Sequence, residues 1–300
     1  MIGAIDMNKK NAAKLSIVSN TTLIIFKLVA GISMNSISVI SEGIHSSIDL
    51  IASLIAFISI KKSSKKEDED HPFGHGKYEN VSGFVEALLI LLAAFLIIYE
   101  AGKKLFENSN VDNINSGIYV MLISSLINFF ISMALFKSAK KTNSIALEAD
   151  AAHLLTDVFT SLGVFGGLVL LKITHIKILD SIAALAVALL IIKTSVDLIR
   201  KSMKDLVDSS LDSTDIEKIV DVLKDYPKIK SYHKLRTRKS GNTREIDIHI
   251  QVINTDSLTE THNICSSIEK EISSIFPDSY IVIHPEPYKT SAQLTVHSTQ

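Results

Sequence analysis

Six stretches of this chain are apolar over about the 20 residues that an α-helix needs to cross bilayer hydrocarbon. They run at approximately 14–34, 37–60, 82–104, 115–137, 145–171 and 178–199. Backbone in lipid has no water to bond with, so each stretch is driven to helix. Composition agrees, since 47% of the residues are apolar and the mean hydropathy is positive, which is unusual for a soluble chain. Lys27, Glu86 and Asn128 interrupt the apolar pattern. Such residues face the interior of a bundle or snorkel to its ends. Lys9, Lys10 and Lys14 before the first stretch resemble a secretory signal. The stretch outruns a signal's apolar region and 31–38 offers no small-residue cleavage pattern, so a retained first membrane helix is expected.

The links set the orientation. Lys61, Lys62, Lys65, Lys66 and Lys77 follow the second stretch, Lys137, Lys140 and Lys141 the fourth, and Arg200, Lys201 and Lys204 the sixth. The opposite links are poorer, with Lys103 and Lys104 ending the third stretch and Lys172 and Lys177 between the last two. The positive-inside rule therefore places both termini in the cytoplasm. A net charge of −1 gives no basic field for nucleic acid. The single cysteine, Cys265, cannot form an internal disulfide and reads as a small core residue.

Beyond Lys204 the pattern becomes that of a soluble domain. The expected division is a six-helix transmembrane domain at 1–207, a cytoplasmic domain at 208–289 and a polar, disordered tail at 290–300. A helix is expected from Ser213, as N-cap, to about Lys224, with Pro227 just past its end. Strands at 229–238 and 243–253 flank the turn Ser240-Gly241-Asn242. A helix at 257–275 and a short strand at 279–284 complete an αββαβ order, a two-layer α+β domain.

The second stretch carries Glu42, His45 and Asp49, and the fifth Asp150, His153 and Asp157, at identical spacing. Residues four apart share one face of a helix, so each His-xxx-Asp pair can present two ligands to one point. Two such helices supply two imidazoles and two carboxylates, a tetrahedral set for Zn²⁺, and the two aspartates neutralise the dication. One histidine alone would be ordinary polar glue between helices, but two matched pairs point to function. A metal binds only when its ligands give up protons, so the pattern suggests metal/proton antiport. Glu42 and Asp150 extend the two faces in opposite directions, Glu42 outward and Asp150 toward the cytoplasm. They either draw ions to the two gates or serve as helix-interface carboxylates. An intramembrane metalloenzyme would need an open position on the metal and a motif such as His-Glu-xx-His, which the chain lacks. A membrane-bound metal sensor would use the same ligands.

These motifs, together with Asp-His-Pro-Phe-Gly-His-Gly-Lys at 70–77, resemble the cation diffusion facilitator family, in particular its bacterial zinc and ferrous-iron efflux type. The resemblance implies a homodimer in the inner membrane, six helices per protomer, a metallochaperone-like cytoplasmic domain and proton-coupled export. It also implies a second zinc site at Asp68, His71 and His75. By spacing alone those three residues are a metal motif or a charged, solvated loop. A binuclear site bridging the dimer is implied at His233, His249, His262, His284 and Glu286, some relatives having aspartate at the last position. Lys77 and Asp208 match a charge pair that joins membrane and soluble parts. Within the family, His45 points to zinc, with Fe²⁺, Co²⁺ and Cd²⁺ as alternatives, and the Asp-xxx-Asp pattern of manganese members is absent.

Overall fold

The computed structural model describes residues 8–33, 37–106, 115–174, 178–253 and 257–288. The expected tail from 290 lies outside them. The chain divides into two compact units, Met1–Leu206 and Val207–Gln300.

The first unit is six helices: α1 (Lys9–Ser33), α2 (Ile37–Ser63), α3 (Lys77–Phe106), α4 (Asn115–Thr142), α5 (Ile145–Thr174) and α6 (Ile178–Leu206). By length and composition, Lys9–Ser33, Lys77–Lys103, Tyr119–Thr142 and Ser181–Leu206 are apolar enough to cross a membrane among the described residues. The helices outrun the apolar stretches, most at the start of α1 and α3 and the end of α4 and α6. At 30 residues, α3 is about 45 Å long, against about 30 Å of hydrocarbon. Its charged first turn therefore projects beyond the lipid, where apolarity stops signalling helix although the backbone continues it.

The bundle is apolar outside and small or polar inside. Val18, Ile32, Leu92, Phe95, Tyr119 and Leu126 are exposed, as they must be if lipid is their solvent. The interior is built on alanine. Ala12, Ala13, Ala146 and Ala151 pack with Ile60, Leu135, Leu147 and Leu154, while Ala87, Ala94 and Ala152 pack with Ile90, Ile191 and Leu198. Lipid supplies no hydrophobic drive between helices, so close approach over small residues and buried hydrogen bonds hold them. Ser195 donates to the Ala87 carbonyl at 2.6 Å and Ser132 to that of Ala151 at 2.8 Å. The α4–α5 turn is tight: Asn143 takes a left-handed φ of 48° after α4, and Ser144 accepts the Glu148 N–H that starts α5.

The second unit is α7 (Ser213–Lys224), β1 (Ile229–Ser240), β2 (Thr243–Val252), α8 (Leu258–Ile275) and β3 (Ser279–Pro287). The order is the expected αββαβ. The N-cap of α7 is Asp212 rather than Ser213: its extended backbone (ψ 150°) precedes the helix and its carbonyl accepts from Asp215 and Ile216. Gly241, at φ 61°, supplies the left-handed residue that the β1–β2 turn requires. The sheet order is β1-β2-β3, with β1 antiparallel and β3 parallel to β2. Along β2, Ile246, Ile248, Ile250 and Val252 alternate onto the core face. They pack there with Ile219, Val222 and Leu223 of α7 and Ile268 and Ile272 of α8. The opposite face of β2, which includes His249, is left outside this core.

Candidate metal centres

Three clusters of ligand-bearing side chains occur among the described residues, and each gathers positions singled out by spacing or resemblance. Tetrahedral zinc with bonds of about 2.1 Å holds neighbouring ligand atoms ~3.4 Å apart. That separation is the test for each cluster.

The first lies in the helical unit. Asp49 on α2 and His153 and Asp157 on α5 each offer a ligand atom within 4.8 Å of the others. His153 Nε2 stands 3.1 Å from Asp49 Oδ1, both side chains being buried. The four-residue step from His153 to Asp157 puts both on one face of α5, toward α2. The side chains of His45 and Glu42 lie outside the described residues. A cavity of about 430 Å³ leads from the cluster, lined by Asp49 and Asp157 together with Lys27, Glu100, Asn128 and Ser124. Asn128 Oδ1, Ser124 Oγ and His153 Nδ1 are buried without a hydrogen-bond partner, so the site has polar capacity to spare.

Asp150, the remaining acidic residue of the α5 motif, is fully buried in the helix interface. Its Oδ1 accepts from Ser53 at 2.8 Å, and the Ser53 hydroxyl in turn meets Ser16 (2.9 Å) and Asn20 (2.8 Å). This polar layer joins α1, α2 and α5. Glu86, also fully buried, accepts from Ser82 at 3.2 Å. Glu79 is a hub that motif reading did not find. It accepts from Lys9 and Ser63, both at 2.7 Å, and from Ser144, tying the ends of α1, α2 and α3 to the α4–α5 turn. Its only signal was an acidic residue opening a helix after a lysine.

The second cluster is in the α2–α3 loop. Asp68 Oδ1 accepts the His71 backbone N–H at 2.8 Å and lies 3.2 Å from His71 Nδ1, while its Oδ2 is 3.4 Å from His75 Nε2. Gly74, at φ 76°, and the His71–Gly74 backbone bond fold the loop so that the two rings stand 4.2 Å apart. His75 Nδ1 is 3.2 Å from the Lys66 carbonyl. With that contact made by an Nδ1 proton, Nε2 is left with its lone pair free to bind a metal. Loss of water pushes the Asp68 carboxyl up, but the His71 backbone and ring bonds and the His75 and His71 charges outweigh it and hold it below the usual carboxylate range. At ~3.4 Å spacing the residues suit a metal.

The third cluster lies on the sheet. Register aligns His233, His249 and His284 in one row across β1, β2 and β3. Their rings are 5.2 and 4.6 Å apart in sequence along the row. Glu286 bridges them: its Oε1 is 2.9 Å from His249 Nδ1 and 4.0 Å from His284 Nε2, and its Oε2 is 3.4 Å from His233 Nε2. Its pKa is lowered by the His249 bond, against the loss of water, and by the His233, His249 and Lys234 charges. An irregularity after His233, with Lys234 at φ 50°, breaks the strand expected to be regular there. Such bulges re-aim side chains beside sites. His262 stands exposed near the start of α8, 3.5 Å from Ser266, and is not in this group. Asp208, at φ 57°, accepts from Arg238 at 3.2 Å, and Lys77 opens α3.

Residues 13–207 match the family model of a cation efflux transmembrane domain, and 211–288 that of a cation efflux protein's cytoplasmic domain. The cation-efflux pump FieF of Shewanella oneidensis is 30% identical over 93% of this chain and 94% of its own length. The manganese efflux system protein MneP of Bacillus subtilis is 30% identical over 93% and 96%. A solved structure, the metal-bound C-terminal domain of the CzcD transporter from Thermotoga maritima, is 26% identical over 27% of this chain and 99% of its own, at a TM-score of 0.25.

Proposed function

We propose, from the premise that this chain belongs to the cation diffusion facilitator family of divalent-cation efflux transporters, that its cargo is zinc and that it exchanges zinc for protons. The observation that carries this reading is the Asp49–His153–Asp157 cluster within a helical membrane unit, its Asp49 and His153 buried and its Asp157 half-buried. His45, one turn before Asp49, completes two imidazoles and two carboxylates, a donor set that favours zinc over harder ions. One relative is named for manganese, a cargo that carboxylate-rich sites accept; the imidazoles are what argue against it here.

One distance supports the coupling. At 3.1 Å, Asp49 and His153 are placed to share either a proton or a metal ion, and one excludes the other. With both termini in the cytoplasm of an inner-membrane homodimer, metal enters from the side of the α2–α3 and α4–α5 links. The cavity lined by Glu100 and Asn128 then opens outward, where protons replace the ion. The Ser53–Asp150 layer and the Glu79 hub close the cytoplasmic side in this conformation. Asp68, His71 and His75 would hold a second zinc. His233, His249 and Glu286, with His284 and with His262 and its dimer mate, would hold regulatory metal. Lys77 and Asp208 would act as the hinge pair between the two parts.

The test is flux by purified protein in sealed vesicles, with Zn²⁺, Fe²⁺, Co²⁺, Cd²⁺ and Mn²⁺ compared. Asp49→Ala and Asp157→Ala each remove a ligand, so zinc flux falls by more than the roughly 10–100-fold that loss of a supporting group costs. Undiminished flux in both variants sinks the site. Zinc flux that ignores an imposed pH gradient sinks antiport alone.

A further inference from the structure

Lys27 lies on α1 six residues before the helix ends at Ser33, 5% exposed, in a helix apolar enough to span the membrane. A lysine at that depth is costly unless its ammonium reaches water or an anion. It does not snorkel to a helix end. Its Nζ donates to Ser46 on α2 at 2.7 Å, and Ser46 lies three residues, nearly one turn, before Asp49. The side chain thereby lines the same cavity as Asp49 and Asp157. Ser46 supplies a dipole but no charge. The anions that Lys27 shares its cavity with are those two aspartates and, toward the mouth, Glu100.

Resting on the metal-transport reading above, we propose that Lys27 is the tethered counter-cation of the intramembrane site, offsetting the aspartates when the ion has left and speeding its departure. Charge counting gives the reason. With imidazoles neutral, both aspartates ionised and no proton yet bound, the bare site would be neutral when loaded and −2 at the moment the ion leaves. Including Lys27, it is +1 when loaded and −1 when empty. The cost of carrying charge through low dielectric grows as the square of the charge. An empty site at −2 therefore bears about four times the penalty of one at −1. Lys27 gives the loaded site and the site just emptied, before protons replace the ion, charges of equal magnitude, at the expense of tighter metal binding.

The experiment uses full-length protein in which Asp68→Ala and Glu286→Ala silence the other two clusters, with zinc as probe. Lys27→Met, which keeps length and loses charge, binds zinc about tenfold tighter or more, and its maximal flux falls by a similar factor. Lys27→Gln behaves likewise, and provides the measurement should the methionine variant fold poorly. Lys27→Arg keeps both properties near wild type. Ser46→Ala, which loses only the hydrogen bond, does not tighten binding as Lys27→Met does. Neutral variants that fold with an unchanged thermal midpoint but bind zinc no more tightly overturn the proposal, as does wild-type flux in them. Flux that depends on Asp49 and Asp157 but ignores Lys27 overturns this role alone. Flux indifferent to the aspartates overturns the site itself.

Discussion

Glu286 is the group whose replacement most directly tests whether the sheet cluster is a metal site. Its two oxygens reach His249 at 2.9 Å and His233 at 3.4 Å, so Glu286→Gln keeps the shape while removing the charge that gathers the imidazoles. In the soluble unit expressed alone, zinc at 100 times its dissociation constant stabilises the fold by about 2.7 kcal/mol. A domain of this size shifts its Tm by about 4–8 °C per kcal/mol, so the wild type gains about 11–22 °C. If the variant binds tenfold more weakly, the same zinc concentration gives about 1.4 kcal/mol and a gain of about 6–11 °C. Thermal denaturation followed by circular dichroism, with and without zinc, reads both numbers. The chelated proteins should melt close together, because Glu286 lies on the sheet face away from the Ile248 and Ile268 core. An equal zinc-induced gain in wild type and variant refutes the assignment, and so does a wild type that gains nothing.

Two further expectations concern the same unit. Burial first, and then the nearby Glu269 charge, push the Cys265 thiol up, a backbone bond opposing them. Iodoacetamide at pH 7.5 should alkylate it at least about tenfold more slowly in the folded unit than in denaturant, and equal rates would refute that burial. Tyr226 donates its hydroxyl to Glu271 at 3.0 Å, and burial followed by that bond raises its phenol above the ordinary value. A raised folded pKa contributes stability that is present below about pH 10 and lost as pH climbs through the folded value. Tyr226→Phe should therefore cost about 1 kcal/mol at neutral pH, with the gap to wild type closing in alkali. A gap that widens with pH contradicts this sign.

What the sequence disclosed and what it hid divide along a physical line. Spacing within one helix is local, so the four-residue steps at His45–Asp49 and His153–Asp157 could be read at once, and Asp49, His153 and Asp157 do converge. The αββαβ order was legible for the same reason, since alternation along 245–250 and helical spacing along 258–275 are properties of short windows. Register between strands is not local. That His233, His249 and His284 form one row depends on β3 adding parallel to β2, and on the break after His233, neither of which any single window contains. Partners across helices were equally hidden. Lys27 stood out only as a flaw in an apolar stretch, and nothing in that window named Ser46 as its neighbour. Asp150 could be read as a gate or as a helix-interface carboxylate, and spacing alone did not decide; it lies fully buried against Ser53 and its partners. In a membrane bundle the polar flaw is the informative position. Lipid penalises it, and where an interior partner is found, as Ser46 is for Lys27, a poor hydropathy score becomes a hypothesis about the transport cycle.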